Sequence, residues 1–150
     1  ISESDAVIIS DYDKGYLTKD IIKNIASISK LTILDSKKIL DYSTISDVDY
    51  IKLNYNEYLN NKELCDSFKE KFNITKGKDG ASFNGVDYES DNPQQTIDVS
   101  GAGDTFMASF LIKLLTTDSV EESIKYANEV CSDVVNKKGV RTPDKKFILG

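Results

Sequence analysis

Short apolar runs, each followed by a polar residue, recur along the first half of the chain. The runs are Ala6–Ser10, Leu31–Leu34 and Tyr50–Leu53, and the residues that follow them are Asp11, Asp35 and Asn54. Continuous apolar segments of this length, rich in aliphatic and β-branched residues, are typical of buried parallel strands. Because the carboxyl ends of parallel strands meet at one edge of a sheet, polar residues are expected to gather there.

Helical spacing of apolar residues separates these runs. Thr18 is a candidate N-cap, Leu17 and Ile22 can pack across it, and the stripe that follows is Ile21, Ile22, Ile25 and Ile28. Further along, Leu64, Phe68 and Phe72 predict a helix over 63–72, with a short strand at 73–75 after it. This alternation predicts a three-layer α/β/α domain that binds ligands at the carboxyl ends of its strands.

The pattern changes after Gly80. Asn84-Gly85 between two short strands, 81–83 and 86–88, predicts a type I′ hairpin. The segment from Ala102 to about Leu115 is apolar on more than one face, which predicts a helix buried in the domain centre. Ser119 and Glu122 form a candidate capping box for a last helix with the stripe Val120, Ile124, Ala127, Cys131 and Val134, ending near Gly139.

Composition excludes several classes of function. The chain has 150 residues, a net charge of -6 and a single arginine, Arg141, which disfavours binding to nucleic acid. The absence of histidine excludes a Ser-His-Asp triad and leaves acid–base chemistry to Asp, Glu, Lys or Tyr. Cys65 and Cys131 belong to no ligand pattern and are predicted to be buried thiols. No apolar run approaches the roughly 20 residues of a membrane span, so we expect a cytoplasmic protein without membrane contact.

The strongest candidate for chemistry is the string Asp98-Val-Ser-Gly-Ala-Gly-Asp104 at the start of the apolar helix. Small residues at 101–103 let the backbone approach a ligand, and the first free N–H groups of a helix bind anions. Phosphoryl transfer needs fixed donors for the charge of the transferred group and a base for the attacking hydroxyl. Gly101, Ala102 and Gly103 fit the first task, and Asp104 fits the second.

The string resembles the second signature of the ribokinase, or phosphofructokinase-B, family of carbohydrate kinases, D-x-[ST]-G-A-G-D-x-F. The resemblance implies a ribokinase-like fold, with Asp104 as catalytic base and the amides of Gly101, Ala102 and Gly103 around the γ-phosphate of ATP. In many members a monovalent cation such as K⁺ binds near the residue that matches Asp98, which makes Asp98 and Ser100 candidate K⁺ ligands.

Three further segments follow in the order of that family. Asn54-Tyr-Asn-Glu57 resembles its N-x-x-E motif, which implies that Asn54 and Glu57 help to hold Mg²⁺ through water. Thr75-Lys-Gly-Lys-Asp-Gly80 resembles the T-x-G-x-x-G turn, which implies nucleotide contacts at Thr75, Gly77 and Gly80. The segment from Asn136 to Pro143 resembles the C-terminal nucleotide loop, which implies contacts at Asn136 and Gly139.

The string Ile9-Ser-Asp-Tyr-Asp-Lys-Gly15 narrows the substrate, because it is similar to the heptose 7-phosphate kinases of the ADP-heptose pathway. Leu34-Asp-Ser-Lys37 is similar to the D-P-K segment of those enzymes. The resemblance implies a substrate site at Asp11, Lys14 and Lys37, in which the lysines contact the phosphates of ATP or of the sugar. Ser36, where proline is usual, and Tyr16, where a small residue is usual, depart from the pattern.

The resemblance covers only the C-terminal half of the family's fold, over residues 1–150. The first strands, most of the sugar pocket and the small β lid have no counterpart, so we expect a longer protein that supplies this missing half. The 150 residues alone are then expected to transfer phosphate hardly at all, and a homodimer is a further expectation.

Other functions are open at this point. Within the family, ribose, fructose and adenosine are the alternative acceptors. Outside the kinases, the alternative is a non-catalytic nucleotide-binding or regulatory domain. Hydroxymethylpyrimidine kinases usually carry a cysteine in the anion-binding string, and Ser100-Gly-Ala-Gly103 contains none.

Overall fold

A computed structural model describes residues 4–90, 101–135, 142–144 and 147. The strands are β1 (Val7–Asp11), β2 (Thr32–Ser36), β3 (Tyr50–Asn54), β4 (Phe72–Thr75), β5 (Ala81–Phe83) and β6 (Val86–Tyr88). The α-helices are α1 (Lys19–Ile28), α2 (Tyr42–Ile45), α3 (Tyr55–Asn60), α4 (Lys62–Ser67), α5 (Ala102–Thr117) and α6 (Val120–Val135). Two single-turn 3₁₀ helices span Lys69–Lys71 and Gly77–Asp79.

The sheet has the strand order β1-β2-β3-β4-β5-β6, and its first four strands are parallel. The described residues fall into two compact units, one containing 4–75 and 82–86 and the other containing 76–81 and the described residues from 87 onward. The predicted α/β alternation is confirmed, and so are the three predicted strands at the start of the chain.

The core of the first unit lies on one face of β1–β4. Its strand residues are Ile9, Leu34, Ile51, Leu53, Phe72 and Ile74, and its helical residues include Ile22, Ala26 and Cys65. Burial of each large aliphatic side chain stabilises the unit by about 1.5–3 kcal/mol. Thr18 caps α1 as predicted, since its side chain accepts a hydrogen bond from the Ile21 N–H.

One helix prediction in the first unit is wrong in part. The helix predicted over 63–72 ends at Ser67, and Phe72 begins β4 instead. Phe72 pairs with Ile51 of β3 and is 2% exposed, so parallel pairing and burial in the core outweigh its helical spacing. The helix predicted after Thr18 is confirmed as α1, in which Ile22 is buried and Ile25 packs against the core. Ile21 and Ile28, at the ends of the apolar stripe, are exposed.

In the second unit, helices α5 and α6 pack against each other. Four predicted core residues of α5 are buried, namely Phe106, Met107, Phe110 and Leu114. Ile112 and Leu115 are more than half exposed, so the predicted burial of α5 is found for only part of its apolar surface. The Ser119 hydroxyl accepts a hydrogen bond from the Glu122 N–H at 3.3 Å, as expected for the N-cap of α6.

The predicted hairpin is confirmed at its turn. Asn84 and Gly85 have φ angles of 50° and 79°, which are the left-handed values that a type I′ turn requires at both central positions. The predicted end of the last helix near Gly139 lies outside the described residues.

Candidate active site

The start of α5 has the features of an anion-binding helix terminus. Its N-cap residue, Gly101, has a φ angle of 76°. Because it is glycine, it has no side chain that could accept a hydrogen bond from the first turn. The first intrahelical bond runs from the Thr105 N–H to the Gly101 carbonyl at 2.9 Å, so the N–H groups of 102–104 precede the helical hydrogen-bond ladder. Among the described residues, no atom lies within 4 Å of a Cβ placed on Gly101, so these residues leave the space beside it open.

Asp104 lies in the first turn of α5 and is exposed. A carboxylate in this position is stabilised by the positive end of the helix dipole and stands beside the amides that are predicted to bind an anion. Gly101, Ala102, Gly103 and Asp104 are consecutive residues at the start of α5, and their roles in anion binding and catalysis stay predictions. Asp98, Ser100, Asn136 and Gly139 lie outside the described residues.

Cys131 of α6 makes a contact with this helix start that the sequence pattern does not reveal. Its thiol donates a hydrogen bond to the Ala102 carbonyl, with a distance of 3.4 Å between sulfur and oxygen. Cys131 is partly exposed, so the prediction of a fully buried thiol is wrong for this residue, whereas Cys65 is buried.

Asn54 and Glu57 form a reciprocal capping box at the start of α3. The Glu57 N–H donates to Asn54 Oδ1 at 2.9 Å, and the Asn54 N–H donates to Glu57 Oε2 at 2.7 Å. Both side chains are partly buried and supply the hard oxygen atoms that Mg²⁺ prefers. The residues therefore fit a site that holds a hydrated Mg²⁺ ion, with the amide and carboxylate reaching it through water.

Thr75 ends the strand next to Asn54, with which it is paired in register. Its hydroxyl donates a hydrogen bond to the Leu53 carbonyl at 3.4 Å. In the first unit, the carboxyl ends of β3 and β4 thus carry two of the predicted nucleotide and metal residues side by side.

In the second unit, Gly77 and Gly80 shape the turn that follows β4. Their φ angles are 62° and 90°, and the turn is closed by a hydrogen bond from the Lys76 N–H to the Gly80 carbonyl at 2.8 Å. A Cβ on Gly80 would lie 2.1 Å from the Tyr88 carbonyl oxygen, so only glycine fits this position.

Asp11 ends β1 and points into the protein. The residue is 4% exposed, and its carboxylate accepts hydrogen bonds from the Asp13 N–H at 3.0 Å and the Ser36 hydroxyl at 3.3 Å. Lys38 Nζ lies 2.9 Å from its second oxygen. Asp11 therefore binds the loops around it through both carboxylate oxygens.

Lys14 and Lys37 lie at the surface, as expected for side chains that meet a mobile substrate. The Lys37 ammonium is 4.6 Å from the centre of the Tyr12 ring, which places it on the β1–α1 loop. A small crevice between the ends of β1 and β2 is lined by Ser10, Asp11, Tyr12, Asp35 and Lys37. The structure thus brings Asp11 and Lys37 together.

Sequence reasoning missed a buried ion pair beside this crevice. Lys52 of β3 is 6% exposed, and its ammonium lies 3.2 Å from both carboxylate oxygens of Asp35 in β2. The two residues are neighbours in register. A lysine between Ile51 and Leu53 in a buried strand is the signal that indicates such a pair, because a buried ammonium requires a partner.

No helix in the described ranges is long and apolar enough to cross a membrane. Among the same residues, no three Cys, Asp or Glu side chains converge as ligands for a directly bound metal ion.

Comparisons with known proteins agree with this geometry. Residues 4–146 match the family described as pfkB family carbohydrate kinase. The chain is 31% identical to the bifunctional protein HldE of Sulfurimonas denitrificans, in a match that covers 95% of this chain and 34% of that protein. It is 32% identical to HldE of Campylobacter fetus subsp. fetus, in a match that covers 93% of this chain and 35% of that protein. It thus spans about a third of the length of these curated relatives.

The fold is similar to that of Arabidopsis thaliana ribokinase, solved in complex with ribose and ATP. The TM-score is 0.79 at 20% sequence identity, and the match covers 99% of this chain and 55% of the ribokinase chain. The architecture is therefore a partial ribokinase-like fold, as the resemblance implies. The chain belongs to the pfkB family of carbohydrate kinases.

Proposed function

We propose that the full-length protein transfers the γ-phosphoryl group of ATP to a hydroxyl group of a sugar. The observation that carries this proposal is the position of Asp104 in the first turn of α5, directly after the left-handed Gly101 and the small residues Ala102 and Gly103 at the helix start. An anion-binding terminus next to an exposed carboxylate supplies the two elements that phosphoryl transfer needs from a protein. Membership in the pfkB family supports the same reaction.

In the proposed reaction, the hydroxyl oxygen of the sugar forms a bond to the γ-phosphorus, and the bond from that phosphorus to the β–γ bridging oxygen breaks. The proton of the hydroxyl passes to the carboxylate of Asp104. ADP leaves with the electron pair of the broken bond. The amides of Gly101, Ala102 and Gly103 stabilise the negative charge on the transferred group.

The cofactors of the proposal are ATP and Mg²⁺. When bound, Mg²⁺ neutralises phosphate charge, and Asn54 and Glu57 are its proposed holders through water. The backbone of the turn at Gly77 and Gly80 is the proposed support for the nucleotide, together with Thr75. A K⁺ ion at Asp98 and Ser100, and nucleotide contacts at Asn136 and Gly139, are proposed from the family resemblance alone.

The proposed acceptor is heptose 7-phosphate, which would become heptose 1,7-bisphosphate for cell-surface glycan synthesis. Its support is the resemblance of Ile9–Gly15 to heptose 7-phosphate kinases, together with the matches to the bifunctional HldE proteins. Two exposed lysines, Lys14 and Lys37, near the ends of β1 and β2 suit a phosphorylated sugar better than a neutral one. Asp11 is proposed to shape this acceptor site.

An assay of ATP consumption by the full-length protein, with Mg²⁺ and a panel of sugars and sugar phosphates, tests the proposal. Turnover with heptose 7-phosphate, well above that with ribose, fructose or adenosine, is the expected result. Turnover with another sugar would retain the kinase and reject the acceptor. Nucleotide binding without any turnover would favour a non-catalytic nucleotide-binding domain.

A further inference from the structure

The loop between β1 and α1 has both of its ends bonded to one ammonium group. Lys38 Nζ lies 2.9 Å from the Asp11 carboxylate and 2.5 Å from the Leu17 carbonyl oxygen. Asp11 is the last residue of β1, and Leu17 directly precedes Thr18, the N-cap of α1. A single side chain from the β2–α2 connection therefore closes the base of the loop 12–16.

This loop needs such support because its backbone is unusual. Asp13 and Gly15 have φ angles of 55° and 81°, and Asp13 is not a glycine. Residues in sparsely populated backbone regions persist only where the surrounding contacts hold them. The contact is also well shielded, since the Asp11 side chain is 2% exposed and that of Lys38 is 26% exposed, which strengthens a charged hydrogen bond.

Lys38 is itself held by a buried amide. Asn61 is 5% exposed, and its Nδ2 donates to the Lys38 carbonyl at 3.2 Å and to the Glu57 carbonyl at 2.9 Å. Its Oδ1 accepts from the Leu40 N–H at 2.6 Å. Both amide hydrogens of Asn61 are thus used, and they connect the β2–α2 segment to α3.

We propose that Lys38, oriented by Asn61, is a positioning residue for the sugar phosphate acceptor. The loop that it closes carries Lys14 and Tyr12, and the Tyr12 ring in turn contacts the Lys37 ammonium. Fixing this loop fixes the two lysines that are proposed to bind the acceptor. The inference rests on the proposed function for its effect on catalysis, but the closure of the loop by Lys38 can be measured without it.

The first test compares Lys38→Met with Lys38→Arg in the full-length protein. Lys38→Met removes the charge and both bonds, and should raise KM for heptose 7-phosphate at least about tenfold, because misplaced positioning groups have effects of this size. KM for ATP should stay within about twofold, since the elements proposed to bind ATP are separate. Lys38→Arg can still bond both loop ends and should recover most of the loss.

Lys23→Met is the matched control, because Lys23 is an exposed lysine of the same unit.

The second test uses amide hydrogen exchange and does not depend on activity. Exchange of the amides of 12–17 should speed up in Lys38→Met and not in Lys23→Met, while exchange in β2 and β3 stays unchanged. Unchanged exchange in 12–17 would overturn the inference, and so would equal increases in KM for ATP and acceptor. Faster exchange in a protein that phosphorylates no sugar would uphold the closure of the loop by Lys38 and refute the proposed function.

The role of Asn61 is tested by coupling. If Asn61 acts through Lys38, Asn61→Ala raises the acceptor KM about fivefold alone but less than about twofold in the Lys38→Met background. Asn60→Ala, a change of an exposed neighbour, is the control. Additive effects of the two substitutions would contradict the proposed relay from Asn61 to Lys38.

Discussion

Asn54 and Glu57 each accept a hydrogen bond from the other's backbone N–H, at 2.9 Å and 2.7 Å. The pair therefore has a structural role as the capping box of α3, whatever it binds. The same two oxygen-bearing side chains are the proposed holders of hydrated Mg²⁺. Structural and functional roles must be separated by substitutions that affect only one of them.

Glu57→Gln separates the two roles. Glutamine can replace glutamate in a capping box, so the free energy of unfolding should change by less than about 0.5 kcal/mol. Glu57→Ala removes the hydrogen bond to the Asn54 N–H and should lower the free energy of unfolding by about 1 kcal/mol. Because both variants lose the carboxylate charge, both should need more Mg²⁺ for half-maximal turnover. An unchanged Mg²⁺ requirement in both, measured by titration, would contradict the metal role.

Asp104→Asn tests the base. The amide cannot accept the proton of the sugar hydroxyl, so kcat should fall by about 10²–10⁴-fold. The affinity for ATP, measured by calorimetry, should change little, because the carboxylate acts on the acceptor. Asp118→Asn at the other end of α5 is the control, since asparagine also tolerates the φ of 54° found there. Comparable losses in the two variants would argue against a catalytic role for Asp104.

Gly101→Ala tests whether the start of α5 binds the phosphate of ATP, and Gly85→Ala is the matched control variant. Gly101 and Gly85 have φ angles of 76° and 79°, and an added Cβ meets no atom within 4 Å at either site. Each substitution should therefore lower the free energy of unfolding by a similar amount, about 1–2 kcal/mol. Only Gly101→Ala should weaken ATP binding, because only its methyl group enters the proposed phosphate space. Equal ATP affinities in the two variants would refute the anion site.

The thiol of Cys65 makes the free energy of unfolding depend on pH in the alkaline range. Burial, with the nearby Asp66 charge as a smaller cause, raises the pKa of its thiol from 9.0 to about 12. The protonated thiol is favoured in the folded state, so its stabilising contribution is complete below pH 9.0 and is lost as the pH rises towards 12.

Cys65→Ala provides the measurement. The variant should be less stable at pH 7 because it leaves a small cavity. The difference in free energy of unfolding between wild type and variant, followed by denaturant titration, should narrow as the pH rises above 9.0. A difference that is constant between pH 7 and pH 11 would show that the thiol is not protected by burial.

Local sequence patterns correctly predicted the features that depend on contacts between neighbouring residues. Thr18 caps α1, and Asn84-Gly85 form the hairpin turn, because capping and positive φ depend on a few adjacent residues. Phe72 shows the limit of this reasoning. Its spacing from Leu64 and Phe68 is compatible with a longer α4. Phe72 lies in β4 instead, because it pairs with Ile51, which is distant in the chain.

The candidate site divides in the same way. The anion-binding string is contiguous, and Gly101 and Asp104 could be identified from it directly. Lys38 and Asn61 could not, because no local pattern marks them. The bonds of Lys38 to Asp11 and Leu17, and those of Asn61 to Lys38 and Leu40, join residues 21 to 27 positions apart. Asp11 was expected to contact substrate, and its buried carboxylate instead binds Asp13, Ser36 and Lys38, which makes its proposed contribution indirect.

The central claim is phosphoryl transfer with Asp104 as the base, and ³¹P nuclear magnetic resonance of the full-length protein tests it most directly. Incubation with ATP, Mg²⁺ and heptose 7-phosphate should produce ADP and a second sugar phosphate resonance at the anomeric position, and Asp104→Asn should produce neither at a comparable rate. Wild-type protein that binds ATP but forms no new sugar phosphate, or an Asp104→Asn variant with normal turnover, would contradict the account.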